Sequence, residues 1–236
     1  MLITFEGIDC CGKSTQVRLL AERLEESGRT VLSLREPGNT RLSEHIRELL
    51  LNKEFTEMDE RTELLLFAAS RAQLVSQVVL PALDDEKIVI CDRFYDSTVA
   101  YQGYGRQLPL EDILHINRIA TQDLIPDMTF YIDVSPEIAF ERCKDRLTAV
   151  RDRMEESGLR FYERVVNGYM VIAEQNRGRF YVIDGTNSVA DVHMTIWRLV
   201  LEKLSEAPAP VAVTEATIEV EELFVNFHAN GAALAV

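Results

Sequence analysis

Apolar and polar positions fall into blocks along the first two hundred residues. Five short apolar or β-branched runs have the length of buried strands: Leu2 to Phe5, Thr30 to Leu34, Lys87 to Cys91, Met128 to Ile132 and Phe180 to Ile183. Segments with helical spacing separate them. Val17, Leu20, Ala21 and Leu24 lie at i, i+3, i+4 and i+7 and stop before Gly28, which suits a helix C-terminus. A long stretch poor in breakers runs from about Thr56 to Leu83 and ends around Pro81, and a shorter helix carrying Leu110, Ile113, Leu114 and Asn117 follows Pro109. Further helices are expected from Ser135, from Leu159 (Tyr162, Val165, Val166, Tyr169, Ala173) and from Ser188 with Asp191 (Val192, Ile196, Leu199, Val200). This alternation predicts an α/β fold whose parallel sheet is covered on both faces. The pattern breaks after Ser205. A Pro/Ala-rich stretch leads into residues 207–236, which contain Glu215, Glu219, Glu221 and Glu222 but no Lys or Arg. The expectation is one domain over 1–205 and an acidic C-terminal extension over 206–236 with no assigned role.

Composition narrows the function classes. At 236 residues and 47% hydrophobic the chain can bury a sizeable core, which excludes wholesale disorder. A net charge of -14 argues against nucleic acid as a partner along a broad basic face. Cys10, Cys11, Cys91 and Cys143 form no CxxC pair, and four scattered histidines lack zinc-like spacing, so reduced thiols in a cytoplasmic setting are expected. Cys10 and Cys11 are read as small loop residues and Cys91 as a buried hydrophobe. The start MLITFEGID lacks a basic leader region and nowhere do eighteen apolar residues run together, so no membrane is expected as a partner.

The chemistry begins at Gly7-Ile8-Asp9-Cys10-Cys11-Gly12-Lys13-Ser14, which satisfies G-x-x-x-x-G-K-[ST] directly between a predicted strand and a predicted amphipathic helix. With that spacing successive backbone N–H groups turn inward on phosphate oxygens and the helix N-terminus adds partial positive charge. Lys13 would reach the β and γ phosphates of a nucleoside triphosphate, and Ser14 would offer its hydroxyl to Mg²⁺. A second apolar strand ends in Asp92-Arg93. A carboxylate delivered beside a phosphate loop holds Mg²⁺ directly or through water, and a guanidinium directly after it would neutralise a second phosphate group. The plainer alternative is a strand-end salt bridge.

Over about residues 1–205 the sequence resembles the thymidylate kinase family of P-loop nucleoside monophosphate kinases. The resemblance is carried by FEGIDCCGKST at 5–15, REPGNT at 35–40, LLFAASRAQ at 65–73, DRFYDSTVAYQG at 92–103, PDMTFYIDVSPE at 126–137, and DRME with FYERVVNGY between 152 and 169. It implies a P-loop NTPase fold with a five-stranded parallel sheet and a lid near 146–156, a homodimer, and Mg-dependent transfer of the ATP γ-phosphoryl group to dTMP. It also implies site residues. Gly7 to Thr15 would bind ATP, including Ile8, Cys10, Cys11 and Gly12, with Arg146 packed on adenine. Phe67 resembles the ring that stacks on thymine and Arg71, one helical turn on, a donor to a base carbonyl. Ser97, Tyr101 and Gln102 resemble the deoxynucleoside pocket, Tyr101 crowding the sugar 2′ position. Asp9 resembles the carboxylate that meets the acceptor sugar hydroxyl or the metal network. Glu36, preceding a cis Pro37, Arg47 and Arg93 face the acceptor, with Arg35 a weaker candidate. Asn39 stands where the family usually has a second glycine, and asparagine tolerates the left-handed backbone there. Position 10 is Cys where part of the family has a basic residue, so Arg153, or Arg151, would be the lid's catalytic arginine beside Lys13. Two alternatives are a P-loop kinase for another nucleotide or nucleoside, and a non-catalytic nucleotide-binding module.

Overall fold

Leu2–Glu6 (β1) is buried along its whole length, so it can sit only in the middle of a sheet with helices on both faces. In the computed structural model, which describes residues 1–144, 153 and 157–206, it does so. Val31–Arg35 (β2), Ile88–Asp92 (β3), Met128–Asp133 (β4) and Phe180–Asp184 (β5) complete the sheet in the order β2-β3-β1-β4-β5, every pair parallel. The register sets Phe5 opposite both Asp92 and Phe130, so the chain leaves β1 and β3 at the same edge of the sheet. In open parallel sheets ligands collect at that carboxyl edge. All five strands lie within a residue of the runs read from sequence.

Lys13–Glu26 (α1) buries Val17, Leu20, Ala21 and Leu24 as its spacing requires, and Gly28 (φ 84°) donates back to the Glu25 carbonyl. Arg41–Leu51 (α2) follows, capped by Thr40. The long breaker-poor stretch is one helical run of three pieces: Glu60–Leu74 (α3), a π-turn at Val75–Val79 and Leu80–Asp84 (α4). Pro81 therefore lies inside the helix instead of ending it. The wider π-turn upstream accommodates a ring that would collide with a carbonyl of regular α-helix. This run is long and apolar enough to cross a membrane by length and composition alone. It carries buried Glu63, Ser70 and Arg71 and packs against α2 and Leu110–Thr121 (α6), as a core helix does.

One element goes beyond the sequence reading. Tyr95–Thr98 (α5) and a π-turn over Val99–Gly105 make a helix of the segment after Arg93, nearly all of it buried. Pro136–Lys144 (α7), Leu159–Gln175 (α8) and Val189–Glu206 (α9) complete the described chain, the last opened by Ser188, whose hydroxyl accepts from the Asp191 amide. The chain divides into Met1–Val200 and Leu201–Val236. The expected acidic extension after Glu206, with Arg146 and Arg151, lies outside the described residues.

Candidate active site

The turn between β1 and α1 is shaped by glycine at both ends. Gly7 has φ 138°, and a Cβ there would meet the Cys11 sulfur and the Ile132 carbonyl oxygen at 2.8 Å. Gly12 enters the helix at φ 108°. The loop so formed leaves the first amides of a fourteen-residue helix pointing into a cavity of about 400 Å³, bordered by Lys13, Ser14, Thr15, Asp92 and Arg142. Unpaired N–H groups and the helix dipole make this a place for an anion. The Lys13 ammonium is folded over the loop, donating to the carbonyls of Gly7 (3.1 Å) and Ile8 (2.9 Å). Ser14 donates its hydroxyl to Asp92 at 2.5 Å, so the P-loop hydroxyl and the strand-end carboxylate meet across 78 residues of sequence.

Arg93 adopts φ 72°, which turns its side chain back beneath the loop. It donates to the Gly7 carbonyl at 2.7 Å, pairs with Asp9 at 2.7 Å and lies 5.1 Å from the Tyr101 ring centre. Burial pushes the Asp9 carboxyl up, but Arg93 and Lys13 outweigh it and hold Asp9 below the usual carboxylate range. On the far side of Arg93 a second cavity, about 100 Å³, is lined by Phe67, Arg71, Ser97, Tyr101 and Gln102 among others. Four residues border both cavities: Asp9, Glu36, Arg47 and Arg93.

The second cavity is walled by buried side chains from several elements. The Glu36-Pro37 peptide is cis, as the resemblance implied. Glu36 and Arg71, 6% and 2% exposed, form an ion pair at 2.7 Å. Arg71 also donates to Thr98 (2.9 Å), Asn117 (3.1 Å) and the Phe94 carbonyl (3.2 Å), so a base carbonyl would share one of these donors. Phe67 is half-buried at the cavity, not packed in the core. The Gln102 amide donates to Glu63 at 2.8 Å, which fixes its plane in the wall. Tyr101 Oη and Glu36 Oε1 are buried with no hydrogen-bond partner among the described residues, two polar atoms left for a ligand. Arg47 donates to the Pro37 carbonyl at 3.0 Å. Asn39 is left-handed (φ 67°), and its side chain accepts from the Arg35 amide, closing the turn that glycine would otherwise serve.

Arg153 is found elsewhere than its expected role requires. It pairs with Glu63 at 2.6 Å and donates to the Leu50 carbonyl at 3.0 Å, and it borders neither cavity. Burial pushes Glu63 up, and Arg106, Gln102 and Arg153 together hold it low, so this carboxylate is a strong competitor for the arginine.

Two residues and one covalent bond escaped the sequence reading. Glu6 ends β1 fully buried and accepts from the Phe94 amide (2.8 Å), Ser97 and Tyr169 (2.9 Å), fixing the segment that carries Arg93. Burial, reinforced by Asp96, pushes its carboxyl up to about 7. A lone acid closing an apolar strand was the available signal. Arg142, at the end of α7, donates to the carbonyls of Cys11 (3.4 Å) and Gly185 (2.8 Å) and borders the larger cavity. Finally, Cys10 is not a bystander with a free thiol: it forms a disulfide with Cys143, their Cα atoms 5.6 Å apart. The reading of uniformly reduced cysteines weighed only neighbours in sequence, whereas α7 brings residue 143 back to the loop. Cys91 is buried and free, as expected.

Comparison with known proteins agrees with this geometry. The family model described as thymidylate kinase matches residues 5–196. The chain is 53% identical over 203 residues to a thymidylate kinase of Chlorobaculum tepidum, covering 83% of this chain and 94% of that one. It is 50% identical over 196 residues to a thymidylate kinase of Fervidobacterium nodosum, covering 83% and 96%. The crystal structure of thymidylate kinase from Ehrlichia chaffeensis superposes with a TM-score of 0.69 at 38% identity, covering 85% of this chain and 98% of that one.

Proposed function

The chain belongs to the thymidylate kinase family and phosphorylates dTMP with ATP as donor, and from that premise we propose how its residues divide the work. The observation that carries the proposal is the shared border: two cavities, one at a phosphate loop and one walled by aromatic and polar side chains, have Asp9, Glu36, Arg47 and Arg93 in common. Two phosphorylated molecules meeting there would face each other end to end, which is what in-line transfer between phosphates needs.

ATP lies with its phosphates on the amides of residues 7–15, and Lys13 exchanges the carbonyls of Gly7 and Ile8 for the β and γ phosphates. Arg146 packs on the adenine. dTMP enters the smaller cavity, its base on Phe67 and within reach of Arg71 and Gln102, its sugar beside Ser97 and Tyr101, its phosphate held by Arg47 and Arg93. Asp9 orients Arg93 and meets the acceptor sugar hydroxyl or the metal network. The phosphate of dTMP is already anionic near neutral pH, so no general base is required; charge neutralisation and alignment do the catalysis. Arg153 joins the transferring phosphate by leaving Glu63 as the lid closes, which also excludes water.

The oxygen pair of Ser14 and Asp92 fits a hard divalent cation and would hold Mg²⁺, directly or through water. When bound, Mg²⁺ neutralises charge on the β and γ phosphates. The catalytic unit is 1–205 with a lid near 146–156, followed by the extension 206–236. The protein works in the cytoplasm as a homodimer. Support for the dimer comes from α3 and α6, where Leu65, Leu114 and Ile119 are 55%, 52% and 79% exposed, an apolar face that a second copy would cover.

The test is ADP release measured across dTMP, dUMP, UMP, dCMP and thymidine. dTMP is expected to give the highest kcat/KM, with dUMP lower by about 10- to 200-fold, the range one methyl group supplies. Preference for dCMP or thymidine would overturn the pocket assignment, and ATP binding without turnover would favour the non-catalytic alternative.

A further inference from the structure

Glu63, Phe67 and Arg71 lie at i, i+4 and i+8 on α3, so one helix face carries a carboxylate, a ring and a guanidinium in line. Phe67 and Arg71 line the smaller cavity and Glu63 does not. Its buried carboxylate stands behind the wall, against the π-turn that carries Gln102. There Glu63 Oε1 accepts from Gln102 Nε2 at 2.8 Å, and both carboxylate oxygens accept from Arg106 at 3.2 Å. Arg153 adds a second cation at 2.6 Å. An ionised carboxylate can only accept, and with two guanidinium groups beside it Glu63 stays ionised. The end of the Gln102 amide that meets it is therefore the NH2. A flipped amide would set oxygen against oxygen and lose a charge-assisted hydrogen bond. The backbone of Gln102 is held as well, its carbonyl accepting from Leu108 at 3.1 Å. Gln102 Oε1 accepts from no described residue and is the end left for the cavity.

We propose that Glu63 is a positioning residue for substrate choice: by holding the Gln102 nitrogen it turns Gln102 Oε1 on the base and selects pyrimidines whose ring nitrogen N3 carries a proton. The inference rests on the pocket assignment above. Thymine and uracil offer an N3–H donor beside a carbonyl at C4, whereas cytosine offers a bare N3 acceptor beside an amino group. Arg71, a donor, suits the C4 carbonyl, and Gln102 Oε1, an acceptor, suits N3–H. A glutamine free to turn its amide over would serve both bases and tell them apart poorly. Fixed by Glu63, it sets acceptor against acceptor when cytosine enters. A buried polar pair left unmatched is the penalty by which a site rejects an analogue strongly. Selection against cytosine thus resides in part in a side chain that does not border the cavity.

The test is the ratio of kcat/KM for dTMP to that for dCMP, which does not depend on how much of a preparation is folded. In Glu63→Gln the two arginines keep the new carbonyl oxygen, the new NH2 turns on Gln102, and the Gln102 amide then presents nitrogen to the base. The ratio should fall about tenfold or more, the scale of one hydrogen bond to a charged group, chiefly through a higher KM for dTMP. In a Gln102→Leu background the same substitution should leave the ratio unchanged, because Glu63 acts through that amide. A merely structural role would lower kcat/KM for both substrates alike. An unchanged ratio in Glu63→Gln, or an equal fall in the Gln102→Leu background, would overturn the proposal. Should Glu63→Gln not fold, the unaltered chain decides with 3-deaza-dTMP, in which C–H replaces N3–H. Its kcat/KM should drop about tenfold or more below that of dTMP, and parity would overturn the proposal. An unaltered chain with no preference for dTMP over dCMP counts against the pocket assignment itself. A preference that Glu63→Gln retains counts against Glu63 alone.

Discussion

The two cavities that meet at Arg93 are built on opposite plans. The donor side is mostly backbone from one contiguous stretch: amides of residues 7–14, with Ser14 and Thr15 exposed and Lys13 resting on its own loop. The acceptor side is side chains from the turn after β2, α2, α3 and the segment from Arg93 through Gln102, locked by buried pairs such as Glu36–Arg71 and Arg106–Glu63. Backbone cradles tolerate side-chain change around fixed glycines, whereas a wall of interlocked charges fails as a unit when one member is lost.

Arg93 belongs to both plans, so Arg93→Ala should cause the largest effect: kcat lower by about 10³-fold or more, with both substrates affected. Steady-state kinetics with each substrate varied in turn would separate this from a defect on one side. A rise in the KM for dTMP alone would assign Arg93 to the acceptor wall and dissolve the shared border.

Next comes the buried pair. Arg71→Ala strands the Glu36 carboxylate away from water, and the fold should lose about 3–5 kcal/mol, seen as a lower Tm and denaturant midpoint. The KM for dTMP should rise while ATP affinity stays near normal. Adding Glu36→Gln should recover part of the stability, because no charge is then left uncompensated. An equal loss of ATP affinity in the single variant would show that the two cavities are mechanically one.

The smallest effect separates two carboxyls in the same sheet-edge region. Glu6 is held up to about 7, so it keeps a proton more readily folded than unfolded. Its contribution to stability is fully present below the ordinary carboxylate value and is lost as pH rises through about 7. Asp9 is held low, so its contribution is present above its ordinary value and is lost as pH falls. Melting temperature followed against pH should therefore flatten between roughly pH 5 and 7 in Glu6→Gln, with acid sensitivity kept. An unchanged slope would remove Glu6 as the titrating group.

The same contrast explains what could be read from sequence. The donor loop is a local object with fixed spacing, and strands buried on both faces are uninterrupted apolar runs, so both were legible. Pro81 was misjudged because the π-turn that makes room for it leaves no mark in hydrophobic spacing. The helical stretch after Arg93 was hidden because tertiary burial, not amphipathic spacing, stabilises it: Val99, Ala100, Tyr101 and Gln102 are all buried in succession. Individual acceptor residues were recoverable only through family resemblance, since nothing local says that Arg71 will meet a glutamate 35 residues earlier. Arg153 shows the limit of that route. A motif fixes which residue is present, but Glu63, a competitor ninety residues away, decides where its guanidinium rests.

The common border has a pharmacological corollary. A bivalent compound whose two heads fill both cavities makes its second attachment intramolecularly, and avidity can exceed either half's affinity by about 10²- to 10⁴-fold when the linker matches the gap. Resistance at Asp9, Glu36, Arg47 or Arg93 is self-limiting, because any change that repels such a molecule also degrades the seat of a natural nucleotide.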